Sequence, residues 1–345
     1  MPTLTVAAVT AVTLDILEKM GTPAPYAAIV CDSLVGANLV GHDSHGVMRL
    51  PSYVEMMRAG LIVPTAVPRV VRQRGATAHI DGDWGWGPVG AHMATTTAID
   101  LARVHGIAAV TLNRCAHIGR LGAYVALMAQ AGFAGIALCN SGAAVAPFGG
   151  RERILGTNPV AFAAPGGPDA APIVVDFATS GVAEGKLRVA QAKGETVAPG
   201  LIVDRDGRPS QTPDDFYAGG ALLPFGGHKG YGLGLMVELL GGILSTAGPS
   251  GMPDALDANG TLLLAMDVTH FVPLDAFTAQ ADAYTQRIRN SAPAADFARV
   301  LLPGEPERMS LAYRSEHGIP IPDSTWHELQ DLQRTLSPTT RGENA

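Results

Sequence analysis

The stretch of the chain richest in reactive side chains is GHDSHGVMRLPSYV, from Gly41 to Val54. Two histidines, an aspartate, a serine and an arginine lie between His42 and Arg49, in a chain of which only 16% is charged. Histidine exchanges protons near physiological pH, and an arginine fork can bind a carboxylate. This composition is suited to proton transfer on an anionic ligand.

Two other interpretations of this segment stay open. Asp43 or Ser44 could cap a helix, which would leave the histidines at the surface. Alternatively, His42, Asp43 and His45 could bind a metal. Their spacing matches no standard zinc signature, and the chain has no H-E-x-x-H motif.

Four further segments combine polar residues with turns. CAHIGRLGAY places His117 and Arg120 at a glycine-rich turn before a helix, a position that favours anions. GTNPVAFAAPGG contains residues 157–158, and DFATSGVAEGK, residues 176–186, follows a buried strand. GGHKGYGLGL places residues 228–229 at the start of an apolar helix. Each segment is equally compatible with ordinary turn chemistry.

The segment GWGPVG also contains a G-x-G-x-x-G pattern, formed by Gly85, Gly87 and Gly90. In a dinucleotide-binding domain this pattern is followed, about 20 residues on, by an acidic residue that ends a second strand. No Glu or Asp occurs between residues 101 and 151. Trp86 and Pro88 would also crowd a pyrophosphate. We therefore predict a glycine-rich turn into a helix, without a nucleotide at this position.

Composition excludes several classes of protein. The 345 residues suffice for two domains, and 47% are hydrophobic. The net charge is −7 and no block of like charge occurs, which argues against a nucleic-acid or anionic membrane partner. Cys31, Cys115 and Cys139 form no C-x-x-C motif and are expected to be buried apolar residues.

Neither of two apolar stretches is predicted to be a targeting or membrane segment. The N-terminal stretch lacks a basic region and contains Asp15, so it is expected to be an amphipathic helix. The stretch from Gly230 to Gly248 is interrupted by glycines and carries Glu238, which favours a buried helix. We therefore expect a cytoplasmic protein.

The pattern of elements predicts a mixed α/β centre between helical ends. Thr3 is expected to cap a helix that ends near Gly21, and two more helices should follow before Gly60. Two strands should meet at Arg74-Gly75, and strands and helices should alternate from residue 88. The stretch 196–224 is expected to be a loop, and the C-terminal tail should return to helices. The two helical ends are expected to pack together.

In order and spacing, DSHGVMRL, GTNP, DFATS, HKGYGL and LPGEPE resemble the type-2 malate/L-lactate dehydrogenase family of NAD(P)-dependent oxidoreductases. The resemblance implies an α/β protein with a family-specific, non-Rossmann nucleotide-binding fold. It implies a helical domain of residues 1–75 and 296–345 that carries the Ser-His segment, and a cofactor-binding domain of residues 76–295. It also implies NAD or NADP as cofactor, a small carboxylate substrate and a homodimer.

The resemblance also assigns individual residues. Ser44 and His45 match the catalytic pair, and His117 matches a second active-site histidine; which histidine moves the proton stays open. Substrate-side matches are Arg49, for the carboxylate, with Tyr53, Thr157, Glu184 and Gly185. Cofactor matches are His117, Ile118, Gly119, Arg120, Leu121, Ser141, Asp176, Phe177, Ala178, His228, Lys229, Gly230, Pro303, Gly304, Glu305, Pro306 and Glu307. Lys186 matches a catalytic position at which the cyclic-imine reductases carry the aspartate of a Ser-His-Asp relay. A lysine there is more similar to the 2-hydroxy-acid dehydrogenases, which weakens the imine alternative.

The function implied is reversible oxidation of a small 2-hydroxy acid to its 2-oxo acid, with hydride transfer to the nicotinamide and a histidine as acid/base. An alternative is NADPH-dependent reduction of a cyclic imine carboxylate or a diketo acid. A more distant alternative is a metal-dependent hydrolase or lyase that uses His42, Asp43, His45 and His117. A binding protein without enzymatic activity would be a third.

Overall fold

The structure is a computed structural model that describes residues 2–167, 170–253 and 258–336. The strands are β1 (Thr3–Leu4), β2 (Arg69–Arg74), β3 (Thr77–Gly85), β4 (Ile107–Cys115), β5 (Phe133–Cys139), β6 (Val160–Ala164), β7 (Ile173–Phe177), β8 (Ile202–Val203), β9 (Pro209–Ser210), β10 (Ala221–Leu222), β11 (Thr261–Asp267) and β12 (Ile319–Pro320). The helices are α1 (Val6–Lys19), α2 (Ala24–Leu39), α3 (Leu50–Arg58), α4 (Gly87–His105), α5 (Leu121–Gln130), α6 (Glu184–Lys193), α7 (Pro213–Tyr217), α8 (His228–Val237), α9 (Leu274–Arg289), α10 (Glu305–His317) and α11 (Asp323–Thr335). Residues 238–243 continue α8 as a π-helix.

A seven-stranded mixed sheet forms the centre of the described chain, in the order β2-β3-β4-β11-β5-β6-β7. The pair β3 and β4 is parallel, and the other neighbours are antiparallel. Alternate residues of β11 point to opposite faces. Leu263 joins the apolar cluster with α4 and α5, whereas Leu262 joins the cluster with α8. Helices thus cover both faces, and the predicted α/β fold is confirmed.

The two ends of the chain share an apolar core. Strand β1 pairs antiparallel with β12, with Leu4 opposite Ile319. Helices α1, α2 and α3 contribute to one buried cluster with α11, in which Ile16, Leu34 and Leu329 are buried. The exact division into residues 1–75 with 296–345 and residues 76–295 stays a prediction, and its last residues, 337–345, lie outside the described residues.

Two local predictions are wrong. Thr5, and not Thr3, caps α1, because Thr3 is part of the strand that pairs with β12. The stretch 196–224 is not only a loop, since it contains α7 and the three-stranded sheet β10-β8-β9. These strands have two residues each, too few to give a periodic sequence signal.

The apolar stretch from Gly230 to Gly248 contains α8 and the π-helix. Glu238, at the junction of the two, is 3% exposed. Among the described residues, no helix is both long enough and apolar enough to cross a bilayer.

Candidate active site

One cavity of about 480 Å³ brings together parts of most of the predicted segments. Its wall is built from the turn before α3, the turn between β4 and α5, the loop after β5 and the start of α6. The predicted site residues that line it are Ser44, His45, Arg49, His117, Ile118, Gly119, Leu121, Ser141, Thr157, Glu184 and Gly185.

The segment that carries Ser44 and His45 folds as two consecutive 3-10 turns, Asp43–His45 and Val47–Arg49, before α3 begins. Asn38 holds the first turn to the second, because its Nδ2 donates to Asp43 Oδ1 (2.7 Å) and its Oδ1 accepts from Val47 N (2.9 Å). A Cβ on Gly46 would lie 2.2 Å from Asn38 Oδ1, so this close approach requires glycine.

Asp43 stabilises this segment through a partner from the far end of the chain. Arg314 of α10 donates to both of its carboxylate oxygens, at 2.7 and 3.1 Å, and also to Asn38 O. Neither 3-10 turn nor α3 has a side-chain cap, so the helix-capping interpretation of Asp43 and Ser44 is wrong.

Arg49 reaches the cavity with its terminal nitrogens unpaired. Its Nε donates to Ser44 O at 2.7 Å, which fixes the guanidinium beside the Ser-His pair. Among the described residues, neither Nη has a hydrogen-bond or ion-pair partner. A guanidinium left in this state is suited to a bidentate bond with an incoming carboxylate.

His45 is held in place by its neighbour in the sequence. Ser44 Oγ lies 3.0 Å from His45 Nδ1. Burial, and after it the positive charge of Arg49, lowers the pKa of His45 to about 4. The ring is therefore neutral at pH 7, with Nε2 available to exchange a proton.

His117 faces His45, with ring centroids 5.3 Å apart. Its Nδ1 lies 2.9 Å from the hydroxyl of Tyr53, which is buried behind it and does not line the cavity. Burial holds the pKa of His117 well below its usual range and raises the pKa of Tyr53 to about 12. Tyr53 thus keeps its proton, and both histidines are neutral.

The start of α6 closes the cavity on the side of Ser44. A Cβ on Gly185 would lie 2.9 Å from Ser44 Cβ, so glycine allows this contact. Glu184 Oε1 accepts from Tyr217 Oη (2.8 Å) and Arg188 Nη2 (3.0 Å). Lys186 is exposed and is not among the residues that line the cavity.

Behind the cavity lies a buried carboxylate that we did not predict as part of the site. Glu238 accepts four hydrogen bonds, from Asn140 Nδ2 (3.1 Å), Gly156 N (3.0 Å), Asn158 Nδ2 (2.7 Å) and Ser250 N (2.9 Å). It therefore joins both ends of the β5–β6 loop to the loop that contains Ser250, and both loops contribute to the cavity wall. The sequence signal was a carboxylate within an apolar stretch, which we used only to argue against a membrane span.

Several other lining residues were also missed. Asn259 accepts from Ile118 N (3.2 Å) and donates to Asn140 O (2.8 Å), so it ties the His117 turn to the end of β5. Asn140 directly follows a buried strand, which is a recognisable position for a site residue. The remaining unpredicted lining residues are Met56, Ala116, Cys139, Gly142, Pro159, Ala183, Gly248, Ser250, Gly251, Met252 and Ala258.

The other predicted cofactor residues lie outside this cavity, in two groups. In the first, Asp176 Oδ2 accepts from Gly122 N (2.7 Å) and lies 4.0 Å from Arg120 Nη1. The 303–307 loop packs against β7 and brings Glu307 within 3.4 Å of His42. This first group also contains Phe177, Ala178, Pro303, Gly304, Glu305 and Pro306.

The second group, His228, Lys229 and Gly230, lies at the start of α8. A Cβ on Gly230 would lie 2.3 Å from Phe225 O, so His228 and Lys229 sit on a tightly packed turn. A neighbouring groove of about 530 Å³ is lined by Phe148 and Phe225 together with glycines of this turn.

The glycine-rich turn at Gly85–Gly90 leads directly into α4. A Cβ on Gly87 would lie 2.2 Å from Ala116 O and 2.3 Å from His117 O. The backbone of the active-site turn therefore covers the first turn of α4, where a Rossmann pyrophosphate would bind. This packing supports our rejection of a nucleotide at that position.

The metal-site residues have other partners. Asp43 pairs with Arg314, and His42 contacts Glu307. Within residues 2–167, 170–253 and 258–336, no three His, Cys, Asp or Glu side chains form a group that could hold a metal ion.

Known proteins match almost the whole chain. The sequence profile of the malate/L-lactate dehydrogenase family matches residues 4–330. A malate dehydrogenase from Pyrococcus abyssi is 38% identical over 332 residues, which cover 93% of this chain and 91% of the relative. The structure of sulfolactate dehydrogenase from Methanocaldococcus jannaschii has a TM-score of 0.88 at 34% identity and covers 97% of both chains. The structure of Δ1-piperideine-2-carboxylate reductase from Pseudomonas syringae has a TM-score of 0.85 at 31% identity and covers 96% of this chain and 100% of that chain.

These matches agree with the resemblance of the sequence motifs, and their coverage includes both the helical ends and the mixed sheet. The chain therefore belongs to the malate/L-lactate dehydrogenase family and is an oxidoreductase.

Proposed function

We propose that the enzyme interconverts a small 2-hydroxy acid and its 2-oxo acid with a nicotinamide cofactor. The observation that carries this proposal is the unpaired guanidinium of Arg49 in a cavity with two neutral histidines. A carboxylate on Arg49 would place the adjacent C2 hydroxyl near the proton-exchanging rings.

Different residues would carry out the proton transfer and stabilise the substrate oxygen. Oxidation removes a hydride from C2 and a proton from its hydroxyl, and a bound nicotinamide supplies the hydride acceptor. His45 takes the proton on Nε2 when its Nδ1 donates to Ser44 Oγ. His117 can donate from Nε2 to the substrate oxygen when Tyr53 donates to its Nδ1. Lys186 stays a predicted catalytic residue without a step of its own, because it is exposed at the start of α6 and does not line the cavity.

The cavity fits a nicotinamide ring. The lining residues Gly119, Gly142, Gly248 and Gly251 lack side chains. Apart from its own chain neighbours, no described residue has an atom within 4 Å of the point where a Cβ of Gly142 would be. A flat ring can therefore approach the backbone closely. We propose that the turn from His117 to Leu121, together with Ser141, holds this end of the cofactor. The groups around Asp176, His228 and Glu307 would bind the rest of the cofactor. The side chains of these groups would therefore determine whether NAD or NADP is preferred.

Reduction of a cyclic imine carboxylate is a second candidate. It is supported by the structural similarity to Δ1-piperideine-2-carboxylate reductase. Lys186 argues against it, since the resemblance assigns an aspartate to that position in the imine reductases.

We also propose a cytoplasmic homodimer. The buried free thiols Cys31, Cys115 and Cys139 suit a reducing compartment. The helix formed by α8 and the π-segment, together with the residue that follows it, exposes five apolar side chains, and clustered apolar surface is typical of subunit interfaces. These are Leu235, Met236, Leu239, Ile243 and Leu244. Light scattering after gel filtration would test this, and a mass of about one chain would contradict it.

Absorbance at 340 nm tests the reaction. We would assay 2-hydroxy acids, 2-oxo acids and cyclic imine carboxylates, each with both cofactors. Turnover of a hydroxy acid or oxo acid supports the proposal. Turnover restricted to imines would favour the second candidate, and no turnover with either cofactor would refute both.

A further inference from the structure

We propose that the substrate carries a single carboxylate and that the group beyond its C2 carbon is uncharged. This inference rests on the proposed function. It narrows the substrate to 2-hydroxy or 2-oxo monocarboxylates and sets dicarboxylates such as malate at a disadvantage.

The first observation is the number of cations in the cavity. Among the described lining residues, Arg49 is the one lysine or arginine. Its two free Nη groups suffice for one carboxylate in bidentate geometry.

The histidines do not replace a second cation. Each has its Nδ1 next to a protein hydroxyl, that of Ser44 for His45 and that of Tyr53 for His117. Burial also lowers the pKa of both rings. At pH 7 they exchange protons as neutral groups and carry no charge to offset an anion.

Three cations on segments that border the cavity do not line it. Arg120 lies 4.0 Å from Asp176 and does not line the cavity. Arg188 pairs with Glu184 at 3.0 Å. Lys186 is exposed to solvent at the start of α6.

The charge that does line the cavity has the wrong sign for a dicarboxylate. Glu184 is the one carboxylate among the described lining residues. Bonds from Tyr217 and Arg188 hold it in place. A second carboxylate on the substrate would lose its hydration on binding, and no cation would compensate for this cost. It would also be repelled by the negative charge of Glu184 in the same cavity.

Most polar groups of the wall are already engaged. Both hydrogens of Asn140 Nδ2 are donated, to Glu238 and to Gly248 O. Ser250 Oγ donates to Ser141 O, and Ser141 Oγ accepts from Thr157 N. The remaining lining side chains are largely apolar, including Met56, Met252, Ala183 and Ala258. An uncharged substituent suits this wall.

The test compares substrates on the intact enzyme. We would measure kcat/KM for lactate, 2-hydroxybutyrate and malate with the preferred cofactor. We expect malate to be at least about tenfold poorer than the better monocarboxylate, because its second carboxylate is buried unpaired. A malate value equal to or above both would overturn the inference while leaving the proposed function intact. Loss of all hydroxy-acid turnover would instead count against the proposed function.

A second cation placed in the cavity should reverse the preference. Met252 lines the cavity and is 58% exposed, so Met252→Arg should fold normally. We expect its malate-to-lactate ratio of kcat/KM to rise at least about fivefold. Glu184→Gln, which removes the negative charge, should raise the ratio in the same direction.

Val104→Arg is the matched control. Val104 is 72% exposed on α4 and does not line the cavity, so this variant adds the same charge elsewhere and should leave the ratio unchanged. If Met252→Arg and Glu184→Gln both keep the wild-type ratio, the missing cation is not the cause of the discrimination, and the inference fails.

Discussion

Replacement of Arg49 by methionine should remove most of the activity and leave the fold intact. Methionine replaces the aliphatic part of the arginine side chain, but it removes the two Nη groups that have no described protein partner. It also removes the Nε bond to Ser44 O, at 2.7 Å, that orients the Ser-His segment. The cost should therefore appear in catalysis and much less in stability.

The magnitude follows from the bonds that are lost. A charge-assisted pair between a buried guanidinium and a bound carboxylate is worth about 2–5 kcal/mol. At 1.36 kcal/mol for each factor of ten, this corresponds to a loss of about 30- to 5,000-fold in kcat/KM, much of it through a higher KM. Arg49→Lys keeps the charge but loses the fork and the Nε bond, so its loss should be intermediate.

Steady-state kinetics at 340 nm, with nicotinamide fluorescence as a measure of cofactor binding, would check this prediction. Arg58→Met is the matched control, because Arg58 ends α3, is exposed and does not line the cavity. It should keep wild-type kcat/KM within about twofold. Near wild-type kcat/KM in a folded Arg49→Met enzyme would refute the carboxylate clamp and with it the principal support for a hydroxy-acid substrate.

Three further variants or conditions test the rest of the site. Because the pKa of His45 is about 4, its ring stays a neutral base well below pH 6.5. On acidification, kcat/KM for oxidation should therefore fall only as the pH approaches 4. A fall centred near pH 6.5 would contradict the assignment of His45 as the base. Gly185→Ala should lower kcat by about tenfold or more, since its Cβ would lie 2.9 Å from Ser44 Cβ, whereas Gly232→Ala, with no atom within 4 Å of its Cβ, should be neutral in the same assay. Glu238→Gln replaces an acceptor of four hydrogen bonds and should lower the free energy of unfolding by about 2–4 kcal/mol in a denaturant titration; a change below about 0.5 kcal/mol would show that the two loops do not depend on it.

The sequence was informative where a local pattern decides the structure. The apolar periodicity predicted the helices and the long strands, and the hairpin forms at Arg74-Gly75, where Gly75 has a φ of +52°. The family was predicted from the order and spacing of short motifs, and the match of the family profile to residues 4–330 confirmed it. The composition of the Ser-His-Arg segment was sufficient to select it as a candidate site.

Contacts between distant parts of the sequence could not be predicted in this way. The pairing of β1 with β12, which displaced the predicted cap from Thr3 to Thr5, joins positions over 300 residues apart. Glu238 looked like an isolated charge because its four donors come from two loops that are distant from it in the sequence or follow its helix. Asp43 looked like a helix cap or a metal ligand, since its partner Arg314 lies 271 positions away.

The bond between Asp43 and Arg314 also has a consequence for how the enzyme is made. Ser44 and His45 are synthesised early, but the arginine that fixes their turn emerges from the ribosome only after more than 260 further residues have been translated. A nascent chain or a truncated product that ends before α10 therefore lacks this constraint, even if its central sheet has folded. Proton-transfer geometry is thus acquired late in synthesis, and incomplete chains are expected to be inactive.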